Sequence, residues 1–187
     1  MKKIALVIGV LGLLVSGLGS AASSKEKGFS QIINEAFLKD LQSEVLILNH
    51  DKTKTVSVSF TLKSSKTAQE TRDNSPPSHF KISLNLPDGK VIGQADFILP
   101  KGQESRLNLF KLVNNSIDSN GKRTFHKVGT SLLNLVKRIS VALEYPGIFV
   151  FASEFGNTPK DDDIIVFYKK NLFVDGGCGF MTWEAEA

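Results

Sequence analysis

Apolar and polar residues follow two rhythms along this chain. Phe29, Ile32, Ile33, Ala36, Phe37 and Leu41 recur at i, i+3, i+4, i+7, i+8 and i+12, one stripe of a 3.6-residue period. That spacing predicts an amphipathic helix over residues 29–41, with Ser30, Gln31, Asn34, Glu35, Lys39 and Asp40 on its wet side. From Val45 the period drops to two. Val56, Val58, Phe60 and Leu62 point one way, and Thr55, Ser57, Ser59 and Thr61 the other, as in a strand with one buried face. Val45–Leu48 reads as the strand before it, with Asn49-His50-Asp51-Lys52 as the turn.

The same alternation returns in Phe80, Ile82, Leu84 and Leu86, which Pro87-Asp88-Gly89-Lys90 connects to a second strand over 91–99. Pro100-Lys101-Gly102-Gln103 is a further turn before a strand at 106–113, and 123–128 is a short strand. Residues 130–138 read as a helical turn feeding a strand over 139–145. Residues 147–155 and 164–174 are apolar on both faces and read as central strands, with a turn at 157–163 and a glycine-rich tail around Cys178. About seven to nine strands and few helices predict a mainly β fold, an antiparallel β-sandwich with one N-terminal helix. No alternation of strand and helix points to a doubly wound sheet.

The stretch 45–112 carries a strand ending in Leu48-Asn49, a polar turn, the strand 55–62, the Pro87-Asp88-Gly89 hairpin, and Phe97-Ile98-Leu99-Pro100-Lys101-Gly102-Gln103 leading into Leu107-Asn108-Leu109. In this it resembles the immunoglobulin-like modules of bacterial exported proteins. The resemblance implies a sandwich architecture and carries no functional residues. The chain lacks the paired cysteines of true immunoglobulin domains, and its one tryptophan, Trp183, stands near the C-terminus.

The first residues change the picture of where such a domain works. Lys2 and Lys3 precede an apolar run over 4–18, and Gly19, Ser20, Ala21 and Ala22 follow it. This is the pattern of a secretory signal peptide over 1–22, and the run is short of the roughly 20 residues that span a bilayer. A polar leader, 23–28, and one β-rich domain, 29–187, are expected after cleavage, exported to the periplasm or secreted and without membrane insertion.

Charge alters the choice of partners less than it first suggests. Losing Lys2 and Lys3 takes Lys+Arg from 23 to 21 against 19 Asp+Glu, a net of +2. The basic residues are scattered rather than gathered on one face, so nucleic acid is not expected as a partner. The 13 phenylalanines supply apolar area for a core that no disulfide can staple, because Cys178 is the only cysteine.

Candidate chemistry is sparse. No Gly-x-Ser-x-Gly elbow surrounds Ser153. His50, His79 and His126 lie far apart with no metal-ligand spacing, so no metal and no cofactor are expected. Asp161-Asp162-Asp163 lacks the alternation of a calcium loop and reads as a solvated turn. Cys178, flanked by Gly176, Gly177 and Gly179, suits three fates: a buried thiol, an intermolecular disulfide joining two copies, or a nucleophile. The polar stretch 63–78 is a long exposed loop or contains a short helix at 67–72. Its Lys66, Gln69, Arg72 and Asp73, with His79 beyond it, are the expected contact residues. The function expected from all this is non-enzymatic binding of a protein or cell-surface component. The alternatives are an exported hydrolase, with His79 or His126 meeting Cys178 or a carboxylate, and a carrier with an apolar cavity.

Overall fold

The computed structural model describes residues 29, 31–73, 77–100, 105–116, 122–151 and 161–185. The leader predicted over 1–22 and the Ser153 position lie outside them. Among the described residues nine strands and four helices are defined. In chain order they are α1 (Glu35–Glu44), β1 (Leu48–Asn49), β2 (Ser59–Ser65), α2 (Ala68–Arg72), β3 (His79–Asn85), β4 (Val91–Ile98) and β5 (Leu107–Asn114). Then follow β6 (Phe125–His126), α3 (Val128–Ala142), β7 (Gly147–Phe151), α4 (Asp161–Lys170), β8 (Val174–Gly177) and β9 (Phe180–Glu184). Among the described residues no helix is long and apolar enough to cross a membrane.

Seven strands form one sheet in the order β2-β3-β4-β5-β7-β9-β8, and β1 pairs only with β6. Every neighbour in the large sheet is antiparallel except β5 and β7, which run parallel. Parallel neighbours need a crossover, and α3 supplies it. The antiparallel immunoglobulin-like sandwich is therefore corrected to a mixed α/β fold built on a single seven-stranded sheet. The predicted strands around the 87–90 turn are real, but no second large sheet packs on them among the described residues. Alternation reports that one face of a strand is buried, and a helix covers that face as well as another sheet does.

Two segments expected as strands are helical. Residues 139–142 continue α3, whose Ile139 and Ser140 are both fully buried while Val141 is 48% exposed, and the helix ends before 143–145. That burial follows a helical stripe and not a two-residue alternation. Residues 164–170 belong to α4, which carries Lys169 and Lys170 in its last turn, where cations meet the partial negative charge of the helix end. The predicted first helix is interrupted: Phe29, Gln31 and Ile32 are helical and the Ile33 amide donates to the Phe29 carbonyl at 2.7 Å, but the helix breaks at 33–34 before α1 begins. Asn34 caps α1, its side chain accepting from the Phe37 amide at 3.0 Å.

The core lies between the sheet and α3. Val128, Leu132, Val136 and Ile139 of α3 are buried, as are Ile82, Leu84, Ile92, Ala95, Phe97, Leu107, Leu109 and Ile148 of the strands. The buried serines of α3 are satisfied by carbonyls: Ser131 donates to Leu46 at 3.0 Å and Ser140 to Gly147 at 3.2 Å. Gln42 of α1 completes the start of the edge strand β2, donating to the Val58 carbonyl at 2.9 Å and accepting from the Phe60 amide at 3.0 Å.

Lys137 ties α3 to the C-terminal hairpin. Its Nζ lies 4.9 Å from the Trp183 ring centroid and 5.3 Å from that of Phe173, and it donates to the Asn171 carbonyl at 2.5 Å. Burial pushes the ammonium pKa from 10.5 down to about 8. A lowered pKa means that the unfolded chain holds this proton more tightly than the folded one. The cost is full below pH 8 and disappears as pH rises toward 10.5. The site is half-buried and the rings favour the cation, so the full-shift cost shrinks to ~1–2 kcal/mol. Between pH 7.5 and 10 the native protein should therefore gain that much stability relative to Lys137→Met in urea unfolding. Parallel pH profiles for the two proteins would contradict it.

Candidate functional site

One face of the large sheet is filled by α3. On the other face the central strands carry polar and aromatic residues, and two depressions open there. The first, about 200 Å³, is lined by Ser65 of β2, His79, Phe80 and Lys81 of β3, Asp96 of β4 and Phe110 of β5. Strand register puts them together: Ser65 stands opposite His79, and Lys81 opposite Asp96. A register shift after Asp96 leaves Phe110 between Leu109, opposite Phe97, and Lys111, opposite Asp96. The His79 ring meets the Phe110 ring edge-on, with centroids 6.1 Å apart.

Asp96 is the unusual member of this group. Its side chain is 9% exposed, and its Oδ1 is buried with no hydrogen-bond partner. The nearest cation, Lys81 Nζ, is 3.7 Å away on a half-exposed side chain, too far for a hydrogen bond. An ionised carboxylate held this way forfeits hydration that the structure does not replace. Sequence reasoning overlooked Asp96. The available signal was a lone carboxylate in the otherwise apolar run Ala95-Asp96-Phe97-Ile98.

The second depression, about 380 Å³, is lined by Ile98, Pro100, Arg106, Asn108 and Phe149. With Arg106 and Asn108 among its walls and broad access to solvent, it is not the enclosed apolar cavity that a lipid carrier needs. Arg106 is engaged by Glu184, its Nε donating at 3.0 Å.

A different kind of site lies at the carboxyl ends of the parallel strands. The ladder between β5 and β7 covers Leu107–Leu109 against Ile148–Val150, and β5 runs on to Asn114 beyond it. Such an end, outside the carboxyl ends of parallel strands, is where open α/β sheets bind ligands. The helix that follows β5 starts abruptly. Lys127 occupies its N-cap in a left-handed conformation, φ 66°, with no side-chain cap. The first-turn amides of α3 therefore point outward without a side-chain acceptor, as an anion site requires. Arg123 and Lys127 precede the helix in sequence and add positive charge to this segment. Gly129 lies under α4: a Cβ there would sit 3.0 Å from the Phe167 ring. The donor set fits a phosphate, and Phe167 bounds the room beside it.

Of the expected contact residues, Gln69, Arg72 and Asp73 bond to one another. Gln69 and Arg72 sit on α2 and bond within their own turn, Arg72 to Gln69 at 3.0 Å and Gln69 to Asp73 at 2.6 Å. Lys66 is exposed ahead of that helix. Only His79 reaches a cavity, which it shares with the carboxylate of Asp96 without a hydrogen bond between them. Cys178 is exposed, which removes the buried-thiol option, and no histidine contact to it is present among the described residues. Its φ of 52°, between Gly177 at 84° and Gly179 at 79°, places it in the tight turn from β8 to β9. His126 bonds instead to the His50 carbonyl at 3.0 Å. Among the described residues no three metal-capable side chains cluster.

No protein-family model matches the chain, and no curated protein matches it. Similar solved structures exist. Nourseothricin acetyltransferase is 11% identical, covering 68% of this chain and 99% of that one, with a TM-score of 0.45. An acetyltransferase of the GNAT family from Staphylococcus aureus Mu50 is 12% identical, covering 68% and 100%, also at 0.45. AtaTR bound with AcCoA is 15% identical, covering 68% and 92%, at 0.40.

Proposed function

We propose that the protein binds a phosphate-bearing small molecule where β5 and β7 part, and that acyl transfer from a coenzyme A thioester is the reaction this site serves. The expectation of a non-enzymatic sandwich that binds macromolecules is withdrawn, because it required an architecture the chain does not have. One observation carries the new reading: α3 begins, uncapped by any side chain, over Gly93 and the far end of β5, on the carboxyl side of the parallel ladder between β5 and β7. Backbone amides and the helix dipole there favour a phosphate oxygen, and the basic residues before the helix add to that field. When bound, the thioester would supply the acyl group. The chain's own part is to hold the diphosphate on the α3 amides and to keep Phe167 against the helix, limiting water on that side.

The test is calorimetric titration of the full chain with acetyl-coenzyme A and, separately, with inorganic pyrophosphate. Thr130→Glu places a carboxylate in the first turn of α3. It should weaken both ligands at least about tenfold while leaving the melting temperature equal or higher, since an acidic residue suits a helix N-terminus. Unchanged affinity in Thr130→Glu, or no binding of either ligand at millimolar concentration, removes the site. From the leader over 1–22 we also propose export. Fractionation checks it, and material found only where acyl-coenzyme A is absent, binding pyrophosphate alone, would keep the phosphate site and discard acyl transfer.

A further inference from the structure

The Asp96 cavity has a charge pattern that no side chain among the described residues completes. Read across β2, β3, β4 and β5, the register aligns Lys63, Lys81, Asp96 and Lys111 in one row. The three lysines are exposed and the carboxylate is buried. A simple cation would satisfy Asp96 but would meet Lys81 at the mouth. A simple anion would suit the lysines but would leave Asp96 Oδ1 as bare as before. A molecule with both charges a few ångströms apart answers both demands.

We propose that this cavity binds a small zwitterion, an α-amino acid, with its ammonium on Asp96 and its carboxylate on Lys81. Binding replaces one loose contact of 3.7 Å by two charge-assisted hydrogen bonds and adds no net charge to the site. Lys81 can follow the ligand carboxylate because its side chain is half-exposed, whereas Asp96 stays fixed by burial. The size agrees: about 200 Å³ is below the roughly 300–1,000 Å³ of sites for drug-sized ligands. Phe110, 46% exposed on the cavity wall and held edge-on by His79, offers a face for an apolar amino-acid side chain. The cavity opens on the sheet face away from α3, so this site stands whether or not the phosphate site exists.

The experiment titrates the full chain with L-phenylalanine, phenethylamine and 3-phenylpropionate, followed by calorimetry or by amide shifts of residues 79–81 and 96. L-Phenylalanine should bind at least about tenfold tighter than either analogue, because each analogue leaves one charge of the pair unanswered. Asp96→Asn should reduce its affinity by a similar factor, and Lys81→Met likewise, with melting temperatures recorded alongside. Equal binding of phenethylamine shows a plain amine site, equal binding of 3-phenylpropionate a plain anion site, and no binding of any of the three shows that solvent alone meets Asp96. Each of these results overturns the proposal. The ligand series on the unmodified protein decides the matter even if a variant fails to fold.

Discussion

Gly147→Ala is expected to cost at least ~3 kcal/mol in urea unfolding, a large part of the 5–15 kcal/mol that holds a typical domain together. Gly147 opens β7 and pairs with Glu184 of β9. A Cβ on it would fall onto the carbonyl oxygen of Trp183 and lie 3.1 Å from the Trp183 carbonyl carbon and 3.2 Å from the Glu184 Cα. All three atoms are backbone, so no rotamer change relieves the clash. The two strands must separate, and the damage spreads in both directions. β9 is the sheet's link to β8, and the Gly147 carbonyl accepts from Ser140 of α3. A loss below 1 kcal/mol would mean that β7 and β9 do not approach this closely.

Phe97→Ala should cost ~3–5 kcal/mol, whereas Phe110→Ala, the same truncation one strand away, should cost far less. Phe97 is fully buried in β4 and stacks on Phe80, with centroids 5.7 Å apart and planes at 16°. Phe80 in turn meets Phe29 at 4.7 Å, so the truncation opens a void in a column of three rings. The surrounding strands are tied on both sides and cannot close it. Phe110 is 46% exposed, and its loss mainly exposes the Asp96 cavity. Comparing unfolding midpoints and slopes for the two variants measures the difference. Equal losses would contradict the burial that separates them.

Local pattern carried much of the architecture. The hairpin of β3 and β4 was readable because Phe80, Ile82 and Leu84 alternate with polar residues and a Pro-Asp-Gly turn follows. α3 was read only in part. Ile139, Val141 and Leu143 are β-branched or bulky residues separated by small ones, and such a run satisfies a two-residue period as easily as a helical one. The hairpin of β8 and β9 went unrecognised because its turn hides among the three glycines around Cys178.

The candidate sites were less legible than the fold. His79 was picked out, but as part of a contact loop. Apart from Phe80 and Lys81 beside it in β3, its neighbours in the cavity come from β2, β4 and β5, more than ten residues away in each case. A lone aspartate in an apolar strand says nothing about whether a lysine, a solvent molecule or a ligand answers it. The uncapped start of α3 depends on the backbone of Lys127, which residue type does not reveal.

What the order of residues determined by itself was the list of half-buried strands, the tight turns between them, and the absence of any intrachain disulfide. These follow from side-chain alternation, turn chemistry and composition, which act over a few residues. What only the tertiary structure decided was that the strands join in one sheet with a parallel pair at its centre, that a helix seals one face, and that a buried carboxylate is left facing the other. Those outcomes depend on which distant segments meet, and a strand's pattern of wet and dry faces is the same whether a sheet or a helix covers it.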